Sequence, residues 1–168
     1  MRFGLVTRNE RSWCSLQLLE AMKRACVESL CITFPRLAAK VGYGQAASAD
    51  GIDILKDLSA LVIRPVGRGS LEEILFRMDL LHRLERLGML VVNPPHSIEK
   101  AVDKYYALTL LEEKGLPVPR TVVTESPRAA LRAFHELGED VVVKPLCGSR
   151  GIGSTRLSDP DVADRVFR

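Results

Sequence analysis

Val141-Val142-Val143-Lys144-Pro145-Leu146-Cys147-Gly148-Ser149-Arg150-Gly151-Ile152-Gly153-Ser154-Thr155-Arg156-Leu157 decides how the later part of this 168-residue chain reads. The β-branched apolar run predicts a strand with Lys144 at its end. Gly148, Gly151 and Gly153 let backbone N–H groups come close to an anion with no side chain in the way. Lys144 and Arg150 place positive charge at either end of this loop. Ser154-Thr155-Arg156-Leu157 reads as a further strand, so the loop joins two strands as a flap suited to phosphate. The same residues also fit an ordinary glycine hairpin.

Two familiar phosphate motifs fail here. Gly148 and Gly153 have the spacing of a Walker loop, but Ser154 stands where its lysine belongs. A dinucleotide fingerprint through Gly151 and Gly153 meets Arg156 in place of its last glycine.

Working outward, Lys104 lies forty residues before Lys144. Asp103 is a suitable N-cap for a helix running from Lys104 through Leu110, Leu111 and Lys114, with Gly115 and Pro117 stopping it. Arg120-Thr121-Val122-Val123-Thr124 is expected to be a strand. Ser126-Pro127 starts a helix with Ala130, Leu131 and Phe134 on one face, ended by Gly138. The expected order is therefore helix, strand, helix, strand, glycine loop, strand.

This order and these motifs resemble the nucleotide domain of the ATP-grasp superfamily. The Asp103-Lys104 pair matches the family's helix-opening pair, whose lysine touches nucleotide phosphates. Lys144, in its Val-Val-Lys-Pro context, matches the strand-end lysine on the α-phosphate and adenine side. Gly148-Ser149-Arg150-Gly151-Ile152-Gly153 matches the flap. The resemblance thus implies nucleotide contacts at Lys104, Lys144, Gly148, Ser149, Arg150, Gly151 and Gly153. Within the superfamily the chain looks most like RimK-type ligases, which attach glutamate to a carboxylate. Arg64–Asp79, Val92-Asn93-Pro94-Pro95 and Ile98-Glu99-Lys100 narrow the likeness to tetrahydromethanopterin α-L-glutamate ligases.

The resemblance implies an acceptor carboxylate phosphorylated by ATP, then displacement of phosphate by the amine of L-glutamate. Lys104 and Lys144 suit neutralisation of the triphosphate, and a closing flap suits exclusion of water. Neither is expected to transfer protons, and no catalytic residue is assigned. Magnesium is implied as well, but RimK-type enzymes carry its ligands beyond the region matched here. Asp159, Asp161 and Asp164 read as solvated residues at a capped helix start, with no metal role. The chain is thus expected to stop mid-fold and to be inactive alone. The alternatives are a non-catalytic ligand-binding module or one half of a split ligase. Exposed sheet surface would favour a homo-oligomer or pairing with a complementing C-terminal half.

Residues 1–93 read as a separate acceptor-side α/β unit, with 94–168 as the N-terminal part of the nucleotide domain. Strands are expected at Phe3–Thr7, Leu30–Phe34, Leu61–Arg64 and Met89–Asn93. Ser12 can cap a helix with Trp13, Leu16, Leu19 and Met22 at helical spacing. Ser70-Leu71-Glu72-Glu73 is a capping box for a helix through Arg86. Alternating strands and helices predict a parallel sheet with ligands near its C-terminal ends. Arg64, Gly67 and Arg68 lie in such a loop and could fork onto a carboxylate or phosphate. They also fit a plain connection facing water. Gly42-Tyr43-Gly44-Gln45 lies in a long polar connection that fits a flexible linker better than a binding loop, and His82, His96 and His135 read as structural residues.

Hydrophobic residues make up 46% of the chain, ample for a core, and the net charge of +3 is too mild to imply nucleic acid. No apolar run approaches the ~20 residues that cross a bilayer. Cys14, Cys26, Cys31 and Cys147 lack metal spacing and read as reduced thiols, so a cytoplasmic location is expected.

Overall fold

In the computed structural model, which describes residues 1–148 and 151–168, the chain divides into two compact units, Met1–Ser97 and Ile98–Arg168. The first runs β1 (Arg2–Thr7), α1 (Trp13–Arg24), β2 (Glu28–Thr33), a 3-10 turn (Phe34–Arg36), β3 (Leu37–Ala39), β4 (Ala47–Ala49), β5 (Ile52–Asp53), α2 (Ile54–Asp57), β6 (Ala60–Ile63), α3 (Leu71–Arg86) and β7 (Leu90–Val92). Next comes α4 (Pro95–Val102).

Four strands form the expected parallel sheet in the order β2-β1-β6-β7. Strand β1 has a neighbour on each side, so Leu5, Val6 and Thr7 are buried, as are Ile32, Leu61, Ile63 and Val91 around them. Helix α3 packs against β7 and buries Leu80, Leu81 and Leu84. Its start is the capping box: Ser70 Oγ accepts from Glu73 N at 3.2 Å, and Glu73 Oε2 accepts from Ser70 N at 2.8 Å.

Two expectations for this unit are corrected. Trp13 and Leu16 do not face inward but are 74% and 52% exposed. The buried position on α1 is Ser15, which bonds the end of β1, and successive residues turn about 100° away from it. The segment around Gly42–Gln45 is also no linker. It connects β3 and β4 of a small antiparallel sheet, β3-β4-β5. Arg83 of α3 anchors this sheet by donating to the Lys40 carbonyl at 2.7 Å, and Arg36 pairs with Asp50.

The second unit contains α5 (Lys104–Glu113), α6 (Pro127–Glu136), β8 (Val141–Val143), β9 (Thr155–Leu157) and α7 (Pro160–Phe167). Each helix starts where a short polar side chain takes up free N–H groups: Asp103 accepts from Tyr106 N, Ser126 from Ala129 N, and Asp159 from Asp161 N and Val162 N. Strands β8 and β9 pair antiparallel, with Val142 opposite Arg156. Alternation sends Val141 and Val143 inward against a core of Phe134, Leu157 and Ala163, and leaves Val142 half exposed. Arg156 crosses back to grip both oxygens of Asp140 at 2.7 and 2.8 Å.

The strand expected at Arg120–Thr124 does not form. It pairs with no strand among the described residues, and Val122 and Val123 stay about half exposed. β-branched composition favours a strand only when a neighbour supplies the ladder. All four cysteines are free thiols. Among the described residues, no helix is long and apolar enough to cross a membrane.

Candidate functional site

Strand β8 ends at Val143, which puts Lys144 at the mouth of the glycine loop, with its side chain exposed. The chain then runs back along the start of α5, where Asp103 and Cys147 form an antiparallel bridge. Lys104 N donates to the Leu146 carbonyl at 3.2 Å. The Lys104 ammonium donates to the carbonyls of Pro145, Leu146 and Gly148 at 3.0, 3.3 and 3.1 Å. An ammonium group has three donors, and all three find an oxygen here.

Sequence spacing brings Lys104 and Lys144 forward as candidates, and the fold gathers both at one loop. It does more with Lys104 than the sequence suggests, because that side chain ties the loop to the helix start. The far end of the loop depends on glycine. Gly153 has φ +79°, and a Cβ there would lie 3.3 Å from Pro145 Cγ. Ser154 N donates to the Gly151 carbonyl at 3.0 Å, which turns the chain into β9. Ser149 and Arg150 lie outside the described residues.

This loop suits an anion with several oxygens. Lys144 offers an exposed cation, Lys104 a second that could exchange carbonyl partners for phosphate, and the glycines give close backbone approach. It does not suit a metal by itself. Among the described residues, no three His, Cys, Asp or Glu side chains stand together to hold an ion.

The other candidates lie in the first unit. Arg64 follows β6, and its backbone N–H donates to the Val6 carbonyl at 2.8 Å. Its Nε is buried with no hydrogen-bond partner among the described residues. Gly67 has φ +89°, and a Cβ there would meet the stem of Arg8 at 3.2 Å. Arg68 is exposed. The loop takes its shape from Arg77 of α3, a residue that sequence reasoning passed over. Only 8% exposed, Arg77 donates to the Val66 and Arg68 carbonyls at 3.0 and 3.1 Å. It also pairs with Glu73 at 3.3 Å and lies 5.5 Å from the centroid of the Phe34 ring. Sequence offered no signal for it, because its burial and its partners appear only in the fold.

Burial is the main cause that pushes the Cys31 thiol above its ordinary range, with Glu10 adding to it and Arg36 opposing it. The Arg156 hydrogen bond holds the Asp140 carboxyl below its usual range.

The architecture is similar to that of ATP-grasp proteins. The RimK domain ATP-grasp protein of Sphaerobacter thermophilus superposes with a TM-score of 0.76 at 25% identity, covering 99% of this chain and 57% of that one. An ATP-grasp ligase solved with a minimal precursor, Mg and ADP gives 0.65 at 22% identity, over 98% and 62% of the two chains. By sequence, the tetrahydromethanopterin:α-L-glutamate ligase of Methanosarcina acetivorans is 35% identical over 165 residues, 96% of this chain and 51% of the relative. No family model matches. By sequence and fold, the chain is a relative of the RimK-type ATP-grasp ligases, and it spans about half the length of the curated relatives it matches.

Proposed function

We propose that this chain carries the acceptor-side unit and the phosphate loop of an ATP-dependent α-L-glutamate ligase. The acceptor is a carboxylate, of tetrahydromethanopterin type by likeness to the Methanosarcina relative. In this reading ATP supplies the phosphoryl group that makes the acceptor carboxylate displaceable. The amine of L-glutamate then forms the amide as phosphate leaves and the nitrogen gives up a proton.

The chain's own residues bind and shield. Lys144 and Lys104 hold phosphate oxygens, and the Gly148–Gly153 loop, with Ser149 and Arg150 within it, covers them. Arg64, Gly67 and Arg68 face the acceptor. None of the described residues is assigned to magnesium, and no step is drawn through it.

The observation that carries the reading is the three-carbonyl grip of the Lys104 ammonium on the loop that follows Lys144. It ties Lys104 to the loop that opens at Lys144, forty residues further along the chain. Calorimetric titration of ATP with magnesium is the test. Lys104→Ala and Lys144→Ala should each weaken binding about tenfold or more, the size of a lost charged contact. Unchanged affinity in both variants contradicts the proposal.

A further inference from the structure

We propose that Arg8 joins Arg64 and Arg68 to form a polyanion site at the C-terminal edge of the parallel sheet. Its ligand is a small molecule with two acid groups, carboxylate or phosphate. The inference rests on reading the Arg64–Gly69 loop as acceptor-facing, and it adds a residue and a ligand chemistry to that reading.

The register of the sheet brings the arginines together. Strands β1 and β6 are adjacent and parallel, with Val6 opposite Ile63. Just past that pair Arg64 N donates to the Val6 carbonyl at 2.8 Å, so Arg8 and Arg64 both follow strands that end at the same edge of the sheet. The loop then returns onto Arg8: the Cβ position of Gly67 lies 3.2, 3.3 and 3.4 Å from Arg8 Cδ, Cγ and Cβ. At φ +89° any side chain here would be strained, and its Cβ would sit tight against that stem.

Both sides of this arrangement are fixed. Beyond Arg8, Asn9 N donates to Thr7 Oγ1 at 3.4 Å, and Ser15 Oγ donates to the Asn9 carbonyl at 2.9 Å. On the other side, Arg77 holds the carbonyls of Val66 and Arg68.

The electrostatics call for an anion. Arg2, Arg36 and Arg77 of this unit each pair with a carboxylate. Arg8, Arg64 and Arg68 form no ion pair among the described residues; the Nε of the part-buried Arg64 is without a hydrogen bond, as is that of Arg2, but Arg2 has Glu28 beside it. Buried donors left unpaired are rare in folded proteins, and a ligand oxygen would satisfy that of Arg64. Guanidinium forks match carboxylate and phosphate equally, so the fold defines a pair of acid groups and leaves their type to experiment.

The test uses the chain without nucleotide, so that failure of the ATP reading leaves it untouched. Glutarate, with two carboxylates, and fructose 1,6-bisphosphate, with two phosphates, are titrated separately by calorimetry, and the arm that saturates identifies the acid. Arg8→Gln and Arg68→Gln should each weaken that binding about tenfold, with Arg8→Lys losing less. Arg8 is exposed, so its variants should melt like the parent. A Lys104→Ala/Lys144→Ala double variant should bind the probe normally. The proposal is overturned if neither probe saturates below about 10 mM, if Arg8→Gln binds as well as the parent, or if the double lysine variant abolishes binding.

Discussion

Lys104 Nζ donates to the carbonyl oxygen of Gly148, 44 residues further along, at 3.1 Å. A Cβ placed on Gly148 would stand 3.7 Å from that nitrogen, so the helix start and the glycine loop touch through an ammonium group. One side chain therefore both holds the near end of the loop and adds a positive charge to it.

Lys104→Met should loosen the loop before any ligand is considered. Three carbonyls lose their donor, and the stability lost should be about 1 kcal/mol, because the site is open to water. Denaturant midpoints check this, and the loss should be smaller in Lys104→Arg.

Replacing Arg77 should cost more. Arg77→Met leaves the Val66 and Arg68 carbonyls without their donor and frees Glu73 from its pair. A loss of about 2–3 kcal/mol is expected, since Arg77 is almost wholly buried. Urea unfolding of the variant measures it, and a loss under about 0.5 kcal/mol would contradict the role given to this side chain.

Ser70→Ala removes one half of the capping box at the start of α3. The expected cost is about 1 kcal/mol. Ser70→Gly should recover most of it, which thermal melts of the pair would show.

Asp140 should titrate below the usual carboxylate range because it accepts two hydrogen bonds from Arg156. A depressed folded pKa gives stability that is present above about pH 4, the unfolded value, and lost as pH falls through the folded one. Both groups are exposed, so the effect on stability is small. Carboxyl NMR titration should show the Asp140 midpoint rising in Arg156→Ala.

What the sequence made legible was local. Ser12, Ser70, Asp103, Ser126 and Asp159 announce helix starts because a cap needs only a few neighbouring residues. Lys104 and Lys144 stood out through motif chemistry. Features that depend on distant partners stayed hidden. The short strands Leu37–Ala39 and Ala47–Ala49 are alanine-rich and carry little strand signal until they pair. Val122 and Val123 carry a strong one and find no partner. Helical spacing grouped Trp13 and Leu16 with the core, yet Ser15 took the buried position through its bond to Thr7. Arg77 carries no sequence signal, because the Val66 and Arg68 carbonyls that it holds reach it only through the fold.

Hydrogen exchange of the chain with and without ATP and magnesium tests the central claim most directly. The account predicts slower exchange on ATP addition, confined to backbone amides at the start of α5 and across residues 144–153. The Arg64–Ser70 loop should be unchanged, and the protection should vanish in Lys144→Ala. Protection elsewhere with none at residues 144–153, or equal protection in the Lys144 variant, would contradict it.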